Sequence, residues 1–348
     1  MKNIEFGIMT FADMAPETVQ GKGTNAYRRI QDLLEEIKLA DQVGIDVFGL
    51  GEHHRDDYSV SSPTTVLGAA AAVTKDIKLS SAVTVLSSDD PVRVYQQFAT
   101  IDLISGGRAE IMAGRGSFTE SFPLFGYDLN DYNELFEEKL DLLLKINKNE
   151  KINWSGNLRA PIENRGVYPR AMEGEIPVWI AVGGTPASAI RAAKLKLPLM
   201  LAIIGGMPEN FVPFINLYRK TAIESGTPAD QIEVGINNHM FIAENDEEAS
   251  DLFYPHYANM MDRIGRTRGW QPMSRQQFDF MRSERGSLLV GSVEKVVDKM
   301  VLEHQMFGYT RFMAHASLGT TPHDLTMKSI ELYGTQVIPE VKRRLGVQ

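Results

Sequence analysis

The sequence predicts an α/β protein, a closed (β/α)8 TIM barrel with insertions, on three observations. Apolar, β-branched runs alternate with segments of helical period along the chain, which argues for a parallel sheet. Eight strand runs are followed by helices, and that number favours a closed barrel over a doubly wound sheet. Polar and glycine-rich residues collect just after the strand runs, at one end of the inferred barrel.

The strands are expected at 4–9, 46–51, 77–86, 108–113, 177–182, 198–204, 233–243 and 310–316. Helix 27–43 carries Ile30, Leu33, Leu34, Ile37, Ala40 and Val43 on one stripe. Helix 63–74 starts on a proline and runs through alanines, and helix 91–104 stops at Gly106-Gly107. Further helices are expected at 132–146, 186–195, 209–225, 246–261, 293–307 and 325–341. Segment 147–176 has no clear period and reads as irregular; segment 263–289 is polar, aromatic and glycine-containing and reads as an insertion that Gly269 and Gly286 could hinge as a lid. With no linker, repeat or low-complexity tract, residues 1–348 read as one domain.

Composition excludes several chemistries. The chain has no cysteine, so thiol nucleophiles, zinc–thiolate sites, iron–sulfur clusters and disulfides are ruled out. Its net charge is −9, which argues against a broad nucleic-acid surface. No run approaches the ~18 apolar residues of a membrane helix, and the first residues lack a signal-peptide core. A cytoplasmic protein without membrane or nucleic-acid partners is expected. The 16 methionines read as core filler.

Three loops carry candidate chemistry. Glu52-His53-His54 follows the second strand, where imidazoles can trade protons near neutral pH. Neighbours on a strand face opposite ways, so the two histidines do not easily share a metal, and no spacing links them to Asp89, Asp90 or His239; no metal site is expected. By parity His53 goes with Gly49 and Gly51, a face left open for a ligand, and His54 with Phe48 and Leu50. Gly183-Gly184-Thr185-Pro186-Ala187-Ser188 is the best anion site. Two glycines let the backbone approach a ligand, Thr185 reads as an N-cap before Pro186, and Ser188 adds a hydroxyl at the positive end of a helix. Arg115, between Gly114 and Gly116, can reach the same anion. Together they read as a phosphate clamp for a flavin, a nucleotide or a sugar phosphate. A G-x-G-x-x-G after a strand, a P-loop and a G-x-S-x-G elbow are all absent.

The order and spacing of Gly44-Ile45-Asp46, Glu52-His53-His54, Ser62-Pro63, Pro91-Val92-Arg93, Ile101 to Arg108, Gly114-Arg115-Gly116, the Gly-Gly-Thr-Pro turn and Gly291-Ser292-Val293-Glu294 resemble the bacterial luciferase-like, flavin-dependent monooxygenases. The resemblance implies a (β/α)8 barrel and FMN in reduced form with O2, or less often the deazaflavin F420. It places His53 on the family's active-site histidine, and Arg115, Gly184, Thr185 and Ser188 on its phosphate site. Ala82-Val83-Thr84 falls where the family often has a cis non-proline peptide lining the isoalloxazine. It implies a small organic substrate, a separate flavin reductase supplying reduced FMN, and a homodimer. Gly114 stands where bacterial luciferase has a cysteine, Arg55 replaces an aromatic residue, Gln97 a glutamate, and Ser87-Ser88-Asp89-Asp90 is more polar than the family pattern. These departures argue against light emission and a long-chain aldehyde substrate. The rivals are an F420-dependent oxidoreductase, a non-catalytic flavin-binding protein and a metal-dependent barrel hydrolase.

Overall fold

A computed structural model describes residues 3–14 and 25–347. Eight parallel strands close into a barrel. They are β1 (Glu5–Thr10), β2 (Val47–Leu50), β3 (Lys78–Ser81), β4 (Ala109–Gly114), β5 (Val178–Val182), β6 (Leu199–Ala202), β7 (Val234–Ile242) and β8 (Arg311–His315). Each pairs with the next, and β8 returns to β1 with Glu5 opposite Arg311 and Met9 opposite His315. Strands covered on both faces read as continuous apolar runs, and every residue of β2, β4 and β7 is buried. Some helices start on a side-chain cap: Asp90 accepts from Val92 N and Arg93 N, and Asn245 accepts from Glu248 N. The Pro91–Ser105 helix ends on Gly106 at φ 73°, as its glycine pair predicts. No helix among the described residues is long and apolar enough to cross a membrane.

Inside the barrel, strand parity stacks the side chains in layers. Glu5, Lys78, Glu110 and Arg311 form a charged floor joined by ion pairs. Above it Met9, Val47, Ala82, Met112, Trp179, Met200 and Met313 form an apolar plug. The top opens at the strands' C-terminal ends.

Several elements differ from the sequence reading. The third strand is interrupted at Ala82-Val83, a cis peptide, and resumes as Thr84–Val85 against β4. Segment 147–176 contains an antiparallel hairpin, Lys151–Trp154 with Ile162–Gly166. Only Ile152 and Trp154 turn inward on its first arm, too few alternations to register as a strand. The helix expected to end at 261 runs as Asp246–Arg268, because its apolar stripe thins after Met261 while the backbone ladder continues. The rest of the supposed insertion holds the helix Arg275–Met281 and the strand Leu289–Gly291, which pairs with the far end of β7. Phe278, Met281 and Leu288 bury against Phe253 and Tyr257 in a second apolar cluster. This segment packs on the barrel through that cluster, and Gly286 lies tight against the chain, where a Cβ would come 2.0 Å from the Met281 carbonyl.

Candidate active site

The strand ends converge on a cavity of about 270 Å³ lined by His53, Ala82, Val83, Arg115 and Gly183, five residues expected at the site, and by Glu52 and His54. Thr185 and Ser188 join them through Arg115. The Arg115 guanidinium donates to Thr185 Oγ1 (3.3 Å), Ser188 Oγ (3.1 Å) and Asn133 Oδ1 (2.8 Å), and lies 5.4 Å from the Tyr132 ring. Among the described residues no carboxylate pairs with it. Thr185 holds the N-cap position of the Pro186–Lys194 helix but does not cap it; its hydroxyl instead pairs with Ser188 Oγ at 2.8 Å. Gly184 has φ 108°, and a Cβ added at Gly183 would meet nothing within 4 Å, so the backbone here is open to a ligand. Arginine, two hydroxyls and a helix start thus face one point, which suits a phosphate.

Thr84 does not line the cavity. After the cis Ala82-Val83 bond, Val83 takes the cavity side and Thr84 turns inward, donating to Ser81 Oγ at 2.9 Å. Val83 also accounts for Gly114, where a Cβ would come within 2.6 Å of the Val83 side chain.

His53 sits in a cage of rings: Tyr58 at 4.2 Å, and Phe11 and Phe118 edge-on at 5.0 Å each. Burial pushes its imidazole down to about 4, against the pull of Asp57, so it is neutral at pH 7. The glycine face on which parity put it is not open. A Cβ at Gly51 would lie 2.3 Å from Phe11, whose ring fills that space. Glu52 serves His54 instead of His53. His54 Nε2 donates to Glu52 Oε1 (2.8 Å), and Glu52 Oε2 accepts from Val85 N (3.0 Å). This bond raises the pKa of His54, and the pair pins the chain just beyond the cis peptide.

Phe11, Tyr58, Phe118, Tyr132 and Asn133 carry no sequence signal for a site; loops bring in the first three, and the start of the Tyr132–Lys148 helix brings in the last two. Met9, Met112 and Met200 line the cavity as well as filling the barrel. The metal candidates do not assemble. Asp90 caps a helix and accepts from Arg159, and His239 stacks on His315. Asp32, Glu35 and His323 bring donor atoms within 4.8 Å of one another, but Arg28 pairs with Asp32, and none of the three lines the cavity.

His239 is likewise held near 4 by burial. A histidine buried neutral takes up a proton only on unfolding, so its stabilising effect is full above its unfolded value near 6.5 and declines as the pH falls toward 4. His53 and His239 act in this sense, whereas His54 and His323, whose values are raised, act in the opposite one. His239→Phe is therefore expected to flatten the loss of stability between pH 6.5 and 4 by about 1.4 kcal/mol per pH unit. Denaturant melts across that range measure it, and an unchanged slope refutes the buried neutral state.

Fold and site together define a (β/α)8 barrel whose strand ends open on an apolar, histidine-bearing cavity beside the Arg115, Thr185 and Ser188 cluster. The model of the luciferase-like monooxygenases matches residues 4–310, and the chain belongs to that family. Limonene 1,2-monooxygenase of Rhodococcus erythropolis is 25% identical over 339 residues, spanning 93% of this chain and 84% of that one. The monooxygenase RslO1 from Streptomyces bottropensis has the same fold, with TM-score 0.84 and 22% identity over 97% of this chain and 99% of that one. The oxygenating constituent of 3,6-diketocamphane monooxygenase from Pseudomonas putida, solved with FMN, gives TM-score 0.76 and 20% identity over 97% and 98%. A coenzyme F420-dependent tetrahydromethanopterin reductase from Methanopyrus kandleri gives 0.74 and 20% over 98% and 100%.

Proposed function

We propose that the protein is a flavin-dependent monooxygenase that uses reduced FMN and O2 to oxidise a small organic substrate. The observation that carries this reading is Arg115, a guanidinium with no carboxylate partner among the described residues, aimed with Thr185 and Ser188 beside the open Gly183-Gly184 backbone. The residues present fit FMN. The clamp suits its terminal phosphate, and the Ala82-Val83 peptide with Met9, Met112 and Met200 offers an apolar bed for a planar ring. When bound, the flavin supplies the redox chemistry with O2. The chain holds the phosphate, keeps water from the apolar bed and presents a neutral imidazole, His53, at the cavity wall. The reading includes a separate reductase as the source of reduced FMN, a homodimer and a cytoplasmic location.

Arg115→Ala is expected to weaken FMN binding at least tenfold, the equivalent of ~1.5–3 kcal/mol for a charge-assisted contact. Fluorescence titration measures it, and an unchanged affinity sinks the clamp. A second reading, F420-dependent hydride transfer, is favoured by the F420-dependent neighbour of the same fold. Mass spectrometry of the cofactor retained on purification separates the two. A flavin-binding protein without turnover would show no substrate-dependent oxygen uptake.

A further inference from the structure

We propose that His315, backed by His239 and Tyr257, accepts a hydrogen bond at its Nε2 from a hydroxyl of the organic substrate. The proposal deepens the monooxygenase reading and rests on it for the word substrate.

His315 ends β8, lines the cavity and is 3% exposed. Its register partner on β7 is His239, and the two rings stack at 4.5 Å. Tyr257 lies edge-on to His239 at 5.4 Å. Phe11 meets both His315 (4.9 Å) and His53 (5.0 Å) edge-on, so His315 stands one ring away from His53. The phosphate clamp occupies the opposite wall, at the ends of β4 and β5.

Among the described residues His315 Nε2, His239 Nδ1 and the Tyr257 hydroxyl are all buried without a hydrogen-bond partner. Native interiors leave few such groups. Of the three His315 is the one that lines the cavity, so its Nε2 is the atom a ligand can complete, with His239 and Tyr257 packed behind it. Nothing in the FMN reading uses them.

The surroundings select the charge of that ligand. Burial keeps both imidazoles neutral. The neighbouring cations are engaged: Arg29 by Glu36 and Ser317 Oγ, and Arg263 by Asp13 and the Met14 carbonyl. A carboxylate or sulfonate placed here would lose its hydration with no cation to replace it. The backbone of Ser317 takes the other ring nitrogen of His315 as a donor, so in the neutral ring Nε2 presents its lone pair and accepts from a hydroxyl; a ketone or ether offers it no proton.

The test is a titration of the full-length protein, labelled with 15N-histidine, by cyclohexanone, cyclohexanol and cyclohexanecarboxylate, with and without FMN. Cyclohexanol is expected to shift the His315 Nε2 resonance, and the ketone and the carboxylate to bind at least tenfold more weakly. His315→Leu should lose at least tenfold in affinity for cyclohexanol while FMN affinity is unchanged, and His315→Gln, which keeps an acceptor, should recover part of the loss. An unmoved His315 resonance, a ketone or carboxylate bound as well as the alcohol, or full affinity in His315→Leu overturns the proposal. Failure of the wild type to bind FMN would sink the flavin reading alone, because the FMN-free arm still reports on His315.

Discussion

Arg311→Ala is expected to destabilise the protein by about 3–5 kcal/mol, the usual cost of stripping one partner from a buried ion pair. Arg311 is 1% exposed on the barrel floor. It donates to both oxygens of Glu110 (2.6 and 3.0 Å) and to Glu5 Oε2 (2.9 Å from Nε), and its guanidinium lies 4.1 Å from the centre of the Trp179 ring. Burial alone would push the Glu5 carboxyl up, yet Arg311 and Lys78 hold it below its ordinary value. Without Arg311, Glu110 keeps only a 3.5 Å contact with the half-exposed Lys78. The double variant Arg311→Met with Glu110→Leu should regain part of the loss, since a whole buried ion pair can be exchanged for apolar packing at little cost. Denaturant melts decide it. A loss below about 1 kcal/mol for Arg311→Ala would mean that the floor network is energetically slack.

This floor also marks the limit of what the sequence shows. Glu5 and Arg311 lie in apolar runs that were recognisable as strands, but their meeting depends on the closure of β8 onto β1, over three hundred residues apart. The same limit divides the site. Glu52-His53-His54, Arg115 and Gly183 to Ser188 were legible because short motifs follow strands, and a barrel gathers all its strand ends on one face. Parity placed His53 inward but could not reveal that Phe11 covers Gly51, since Phe11 comes from the loop after β1. The hairpin and the strand Leu289–Gly291 escaped because a few residues cannot establish a period. The Asp246–Arg268 helix outran its apolar stripe. Its last turns are polar, and Arg263 ties them to Asp13 and the Met14 carbonyl, which no local pattern encodes.

His53→Ala is expected to lower oxygen uptake, on any substrate the wild type oxidises, by about 10²–10⁴-fold, the range for removal of a proton-transfer or hydrogen-bonding group beside reacting atoms. The cage of Phe11, Tyr58 and Phe118 decides how the imidazole acts. With its pKa near 4 it carries no positive charge at pH 7, so it works as a neutral hydrogen-bond donor or a weak base, not as an imidazolium acid. The wild-type turnover profile should therefore lack an inflection near 6.5 that vanishes in His53→Ala. His54 behaves oppositely: its hydrogen bond to Glu52 raises its pKa above the ordinary histidine value. Glu52→Gln should lower the pKa of any inflection that His54 contributes while leaving His53 neutral. His53→Gln keeps a donor in the cage and separates lost hydrogen bonding from lost packing: rescue of turnover by glutamine points to the hydrogen bond. Wild-type turnover in His53→Ala would remove His53 from the chemistry altogether, and an inflection near 6.5 lost only in that variant would show that the cage does not exclude the proton.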